Sequence, residues 1–111
     1  MLWPQGVSIW IVMKGVASQR RAEGVLELKI VNEKGLHARA SARFVEVVEQ
    51  FDAAAEVFKD GMNASGDSIM GLLMLAASKG TTIEVQTSGP EAEQLSAALK
   101  ALVADKFGEE F

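Results

Sequence analysis

Residues 25–50, VLELKIVNEKGLHARASARFVEVVEQ, decide the fold of this chain. Apolar and charged side chains alternate over residues 25–30, and this period of two predicts a half-buried β-strand. A loop is predicted from Asn32 to Gly35, followed by a helix from His37 to about Gln50. The apolar stripe of this helix consists of Phe44, Val45, Val47, Val48 and Phe51. The stretch therefore predicts a strand that leads, through a short loop, into an amphipathic helix.

The rest of the chain alternates between the same two periodicities. Asp60-Gly61 is a hairpin signal between two short strands, because glycine accepts the positive φ of such turns. The other predicted elements are a strand near Ala55–Phe58, a helix at Ile69–Ser78 and a strand at Thr81–Thr87. A last helix is predicted after a cap at Ser88 or Gly89, with Pro90 in its first turn and an apolar stripe of Ala92, Leu95, Leu99, Leu102 and Val103. The order βαββαβα predicts an α+β fold, an open-faced β-sandwich. Three helices would cover one face of a four-stranded, mostly antiparallel sheet.

Length and composition predict one compact domain. The chain has 111 residues, and 49% of them are hydrophobic, which is enough for a core. A formal net charge of −4 argues against a nucleic-acid-binding protein, although Lys34, Arg39 and Arg43 can form a small basic patch. With no cysteine and one histidine, the chain has no disulfide, no thiolate metal site and no metal-ligand cluster, so no metal is expected. This composition is compatible with a reducing cytoplasm, where we expect the protein.

Residues 1–23 differ in character from the residues that follow. Their apolar run, from Trp3 to Met13, is shorter than the roughly 20 residues that cross a bilayer, and no positive charges precede it as in a secretory signal. We expect residues 1–23 to be a disordered extension, or the result of a start site that really lies at Met13, with no membrane insertion. Membrane tethering is the alternative. The folded domain is predicted to span residues 24–111.

His37 stands where the first predicted helix begins. The first N–H groups of a helix have no partner inside it and carry partial positive charge, so they bind anions. An imidazole at this point can accept a phosphoryl group, which Arg39 would hold through its planar guanidinium. The alternative is structural: a histidine at a helix start is often only a cap or a surface residue, and an arginine in the first turn is often only solvated.

Two motifs resemble the signatures of a known family. Residues 35–39, GLHAR, resemble the active-site signature of HPr, the histidine-containing phosphocarrier of the bacterial phosphotransferase system. Residues 68–73, SIMGLL, with Lys79-Gly80 downstream, resemble its regulatory signature. The order and separation of the motifs extend the resemblance over roughly residues 24–107.

The resemblance implies a role for each matching residue. His37 would be phosphorylated on Nδ1 by phosphorylated enzyme I, itself charged by phosphoenolpyruvate, and would pass the phosphoryl group to enzyme IIA-type proteins for sugar uptake or regulation. Arg39 would stabilise the phosphate. Ser68 would be a phosphoserine made by an HPr kinase/phosphorylase, although a serine before a helix is also a common cap. The residues that would meet partner proteins are Ala38, Arg39, Ala42, Ile69, Met70 and Leu73.

The chain departs from the family pattern at a few positions. Ala40 replaces the usual proline, and alanine supports a helix well, so we expect the chemistry to survive. Glu46 and Glu49 stand where several members carry lysines, which affects enzyme I affinity and partner compatibility.

We therefore expect a monomeric phosphocarrier without a cofactor, modified stoichiometrically, and not a turnover enzyme. One alternative is a docking module that acts through Ser68 phosphorylation in a carbon- or nitrogen-regulatory branch, without sugar transport. A more remote one is a small-ligand-binding α+β domain that does not need His37.

Overall fold

The computed structural model describes residues 25–111, and the predicted extension at residues 1–23 lies outside the described residues. The described chain forms four strands, three α-helices and a closing 3₁₀ turn. They are β1 (Val25–Lys29), α1 (Ala38–Glu49), β2 (Ala54–Lys59), β3 (Met62–Ser65), α2 (Ile69–Met74), β4 (Thr82–Ser88), α3 (Ala92–Ala104) and the 3₁₀ turn (Lys106–Gly108). Among these helices, none has the length and apolar composition that a bilayer span requires.

The four strands form one antiparallel sheet in the order β1-β4-β2-β3. Leu28 of β1 lies opposite Ile83 of β4, and Val57 of β2 lies opposite Val85, so buried residues of neighbouring strands share one face. The apolar sides of the helices pack against this face and complete the core. Alternate residues of the strands, such as Glu27, are exposed on the other face. The predicted α+β open-faced β-sandwich is confirmed.

The helix α2 is shorter than predicted. It ends at Met74 and does not continue to Ser78, because Ala76 adopts a left-handed conformation with φ of 53°. The next residue, Ala77, is buried, and its carbonyl accepts a hydrogen bond from the Leu36 N–H at 2.8 Å. The chain thus leaves the helix where its backbone has to pair with the loop that precedes α1.

The prediction that Ser88 or Gly89 caps α3 is wrong. The N-cap is Glu91, whose side chain does not cap the helix and instead accepts the Asp52 N–H at 2.7 Å. Gly89 turns the chain with φ of 110°, and a Cβ at this position would lie 3.0 Å from Cα of Ala53. Gly89 is therefore required by the close contact between two chain segments, and the helix cap lies two residues later, at Glu91.

Candidate functional site

His37 is the N-cap residue of α1. Its backbone is extended, with φ of −82° and ψ of −174°, and its carbonyl accepts the first helical hydrogen bond from the Ser41 N–H at 2.8 Å. Its side chain is 27% exposed and makes no capping hydrogen bond. The imidazole therefore stands at the positive end of the helix without serving as its cap.

A close contact between two backbone segments fixes the loop before His37. Leu36 is buried, and its N–H is bound to the Ala77 carbonyl. Gly35 has φ of 67°, and a Cβ on it would lie 2.4 Å from the Ala77 oxygen, a distance at which two atoms overlap. Only glycine allows this approach, so the residue two positions before the histidine is set by packing as well as by backbone conformation.

The C-terminal tail reaches the His37 side chain. The Nε2 atom of His37 forms a hydrogen bond with Oε2 of Glu109, a residue 72 positions further along the chain. The other carboxylate oxygen, Oε1, accepts a hydrogen bond of 2.9 Å from Nδ2 of Asn32. The same Asn32 nitrogen donates to the Gly35 carbonyl at 2.9 Å, and Asn32 is fully buried. One asparagine thus ties the tail carboxylate to the loop that carries the histidine.

The environment of Glu109 favours its ionised form. Burial alone raises the pKa of this carboxyl group, but hydrogen bonds from Asn32 and His37 and the charges of His37 and Lys34 outweigh burial and lower the pKa below its usual value of 4.5. Glu109 is therefore a carboxylate at neutral pH. An ionised carboxylate only accepts hydrogen bonds, which fixes the direction of both contacts.

Three basic residues share one surface depression with Glu109. Lys34, Arg39 and Arg43 line an open depression of about 620 Å³, whose wall also includes Glu109. Arg43 is held in place because its Nη1 donates to the Phe107 carbonyl at 3.3 Å. The structure therefore brings together the basic residues that the sequence suggested, and it adds carboxylates that the sequence analysis had not placed there.

Ser68 caps α2, as predicted. Its backbone is extended, and its Oγ accepts the Gly71 N–H at 3.0 Å. Asp67 does not share this role, since its carboxylate accepts a hydrogen bond of 2.6 Å from the Ser65 hydroxyl. Ser68 is half-buried, so its hydroxyl belongs to the surface of the helix start as well as to the cap.

An apolar surface follows Ser68 along α2. Ile69 is 40% exposed, Met70 69% and Met74 73%, whereas Leu73 is only half-buried. The predicted docking residues of α1, also exposed or half-buried, are Ala38, Arg39 and Ala42. Met74 is missing from the predicted set, although it lies one helical turn after Met70 and shares its face.

Asn32 and Glu109 were not predicted from the sequence to belong to the site. Asn32 carried a signal, because the alternation of β1 places it in phase with Leu28 and Ile30, where a buried side chain is expected. A polar residue at a buried position requires hydrogen-bond partners and points to a function for the side chain. Glu109 carried no such signal, since it lies after the last helix in a charged segment.

A small open-faced β-sandwich that presents a histidine at the start of its first helix has the architecture of a phosphocarrier protein. The family described as "PTS HPr component phosphorylation site" matches residues 25–105. Phosphocarrier protein HPr of Neisseria meningitidis serogroup A is 45% identical over 82 residues, which are 74% of this chain and 92% of that protein.

Two further relatives agree with this match. Phosphocarrier protein NPr of Escherichia coli K12 is 38% identical over 84 residues, which are 75% of this chain and 93% of that protein. The crystal structure of HPr-C-His from Thermoanaerobacter tengcongensis gives a TM-score of 0.75 at 35% identity and covers 79% of this chain and 99% of that one. The chain belongs to the HPr family of phosphocarrier proteins of the phosphotransferase system.

Proposed function

We propose that the protein accepts a phosphoryl group on Nδ1 of His37 from phosphorylated enzyme I and passes it to enzyme IIA-type proteins. The observation that carries this proposal is the position of His37 at the start of α1, with a partly exposed imidazole that does not cap the helix. The unpaired helical N–H groups supply partial positive charge at the start of α1, and Lys34, Arg39 and Arg43 line the depression whose wall includes Glu109, the carboxylate that contacts the ring.

The proposed transfer needs little from the protein except position and charge. The Nδ1 lone pair attacks phosphorus in line with the bond that breaks, and the transferred group spreads negative charge over three oxygens. Arg39 and Lys34 line the depression that Glu109 shares, and Arg39 offers the planar donor fork that binds phosphate oxygens in pairs. The transfer needs no cofactor beyond the phosphoryl group, which comes from phosphoenolpyruvate through enzyme I.

Phosphorylation of Ser68 is the proposed regulatory step, with an HPr kinase/phosphorylase as its source. A phosphate on Oγ would add close to two negative charges at the start of α2, where they are compatible with the helix dipole. The same charges would stand directly before Ile69 and Met70, both exposed apolar residues. The fold would be kept and the docking surface would be altered.

Partners and location complete the proposal. Exposed methionines on α2 form an adaptable apolar surface, which suits brief docking on several phosphotransferase proteins. We propose that the carrier works as a monomer in the cytoplasm, because the histidine and this surface have to be presented to one partner after another. Service in a regulatory branch, with docking through phosphorylated Ser68 alone, is the competing function.

An intact-mass experiment tests the main proposal. The protein is incubated with phosphoenolpyruvate and enzyme I from the same source, beside a His37→Ala variant. We expect the mass of one phosphoryl group on the unaltered protein, lost in acid, stable in base, and absent from the variant. No adduct with an active enzyme I would contradict the carrier role and favour the docking module.

A Ser68→Asp variant tests the regulatory step. Aspartate also caps helices, so the variant should fold as the unaltered protein does and isolate the effect of negative charge. We expect it to accept the phosphoryl group from enzyme I more slowly. Acceptance at the unaltered rate would argue against regulation through Ser68.

A further inference from the structure

The contact with Glu109 determines which nitrogen of the neutral His37 imidazole carries the hydrogen. Nε2 of His37 contacts an ionised carboxylate, and a carboxylate oxygen accepts hydrogen bonds but cannot donate them. Nε2 must therefore carry the hydrogen. In the neutral form of the ring, which is the form that can attack phosphorus, this is the single N–H, so Nδ1 holds the lone pair, and no residue between 25 and 111 forms a hydrogen bond to Nδ1.

We infer that Glu109 is a positioning residue for phosphoryl transfer: its carboxylate holds the proton of His37 on Nε2 and aims the free Nδ1 lone pair at the incoming phosphorus. The inference rests on the proposed function, because it assigns a task within that transfer. It adds to the site a residue from the far end of the chain, beyond residues 35–39 that carry the histidine motif.

Asn32 holds the Glu109 carboxylate in place beside His37. Its amide nitrogen donates both to the Gly35 carbonyl and to Oε1 of Glu109, and because both of these atoms are acceptors the orientation of the amide is determined. Asn32 is completely buried, and its Oδ1 accepts no hydrogen bond from residues 25–111. Burying such an amide costs stability. Its value lies in fixing the carboxylate relative to the loop that carries His37.

During phosphoryl transfer, the Glu109 carboxylate would balance the positive charge that develops on the His37 ring. As the Nδ1 lone pair forms the new P–N bond, the P–N bond to the donor phosphohistidine breaks and its electron pair returns to the donor ring. His37 gains a positive charge while its proton stays on Nε2, next to the negative charge of Glu109. No proton has to leave or arrive. When the phosphoryl group moves on to an acceptor, the pair returns to Nδ1 and the neutral ring is restored.

The test compares Glu109→Gln with a matched variant, Glu27→Gln. Both remove one carboxylate, but Glu27 is exposed on the sheet face that the helices do not cover. We measure the rate of phosphorylation by enzyme I and record the imidazole nitrogens and their protons by NMR of the unphosphorylated full chain. We expect Glu109→Gln to slow phosphorylation by about tenfold or more, the scale of a lost hydrogen bond to a charged group, and Glu27→Gln to leave the rate unchanged.

The NMR readout separates positioning from a purely structural role. In the unaltered protein we expect a proton on Nε2 that is protected from exchange with water, an unprotonated Nδ1, and loss of the protection in Glu109→Gln. Equal phosphorylation rates for both variants would overturn the inference while leaving the carrier function intact. A proton on Nδ1 of the neutral ring would also overturn it. If enzyme I fails to phosphorylate His37 at all, the proposed function fails, and the NMR spectra still decide whether Glu109 holds the proton.

Discussion

The starts of α1 and α2 have much in common and are built in opposite ways. Both helices begin at an N-cap residue with an extended backbone, His37 in one and Ser68 in the other. The Ser68 hydroxyl caps its own helix by accepting the Gly71 N–H three residues away. The His37 side chain caps nothing and is instead held by Glu109, 72 residues away.

This difference separates a local interaction from a non-local one. A serine that caps its own helix is stabilised wherever the helix forms, so modification of its hydroxyl alters a surface and little else. A histidine held by a distant carboxylate has its orientation only when the whole domain is folded. The proposed phosphoryl acceptor is thus coupled to the entire fold, whereas the proposed regulatory residue is coupled to one helical turn.

We expect the largest effect from a substitution in the network that holds Glu109 of the C-terminal tail against His37. In Asn32→Asp, a buried carboxylate replaces the amide that donates to Glu109, so two negative charges face each other and the Gly35 carbonyl loses its donor. We expect a loss of about 3 kcal/mol or more in the free energy of unfolding, measured by urea denaturation.

The exposed pair of Asn63 and Glu56 provides the control for Asn32→Asp. There an asparagine also donates to a glutamate, at 2.5 Å, but in contact with water. The Asn63→Asp substitution should cost under about 1 kcal/mol. Equal losses in the two variants would mean that the buried network does not anchor the tail.

The second largest loss of stability is expected at Gly35, in the loop that precedes His37. Gly35→Ala forces a side chain into the left-handed region and against the Ala77 oxygen, so we expect a loss of about 2–3 kcal/mol. Gly61 also has a positive φ, of 80°, but a Cβ there meets nothing within 4 Å. Gly61→Ala should therefore cost only about 1 kcal/mol, the conformational part alone. A thermal or urea melt that ranks Gly61→Ala as the worse variant would refute the close approach.

A smaller loss of stability is expected at the start of α2, where Ser68 caps its own helix. Ser68→Ala removes the hydroxyl that caps α2 and should destabilise the protein by about 1 kcal/mol in urea denaturation, without reaching the His37 contact. Ser65→Ala is the matched variant, because this exposed hydroxyl donates to the Asp67 side chain and caps no helix, and it should change stability by no more than about 0.5 kcal/mol. Loss of the protected Nε2 proton in Ser68→Ala would show that the two helix starts are coupled after all.

The smallest expected effect is a dependence on pH. The pKa of Glu109 is lower in the folded protein than its usual value of 4.5, so its ionised form stabilises the fold above that value. This contribution should fade as the pH falls through the lower, folded pKa. Urea denaturation of the unaltered protein and of Glu109→Gln should therefore differ at pH 7 and converge in acid. A constant difference down to the lowest pH would contradict the lowered pKa.

The sequence predicts well what depends on neighbouring residues. The alternation in residues 25–30 indicated β1, the apolar stripe indicated α1, and Ser68 before an apolar run indicated a cap. The end of α2 was not predictable from local propensity, because Ala76 leaves the helix so that Ala77 can pair with Leu36.

The candidate site also contains residues that a local sequence pattern indicates and a contact that only tertiary packing creates. His37 and Arg39 could be recognised from a short motif, and the structure places Arg39 in the depression that Glu109 also lines. Asn32 left a trace in the alternation of β1. The contact between Glu109 and His37 is made by tertiary packing of the C-terminal tail, and no local pattern indicates such a contact.

NMR of the protein phosphorylated by enzyme I and phosphoenolpyruvate tests most directly which ring nitrogen of His37 is phosphorylated and which one keeps the proton. Coupling between phosphorus and the ring nitrogens locates the phosphoryl group, and the attached protons locate the hydrogen. We expect phosphorus on Nδ1 of His37 and a proton retained on Nε2, against Glu109. Phosphorus on Nε2 would contradict it, since that atom is the one the carboxylate occupies.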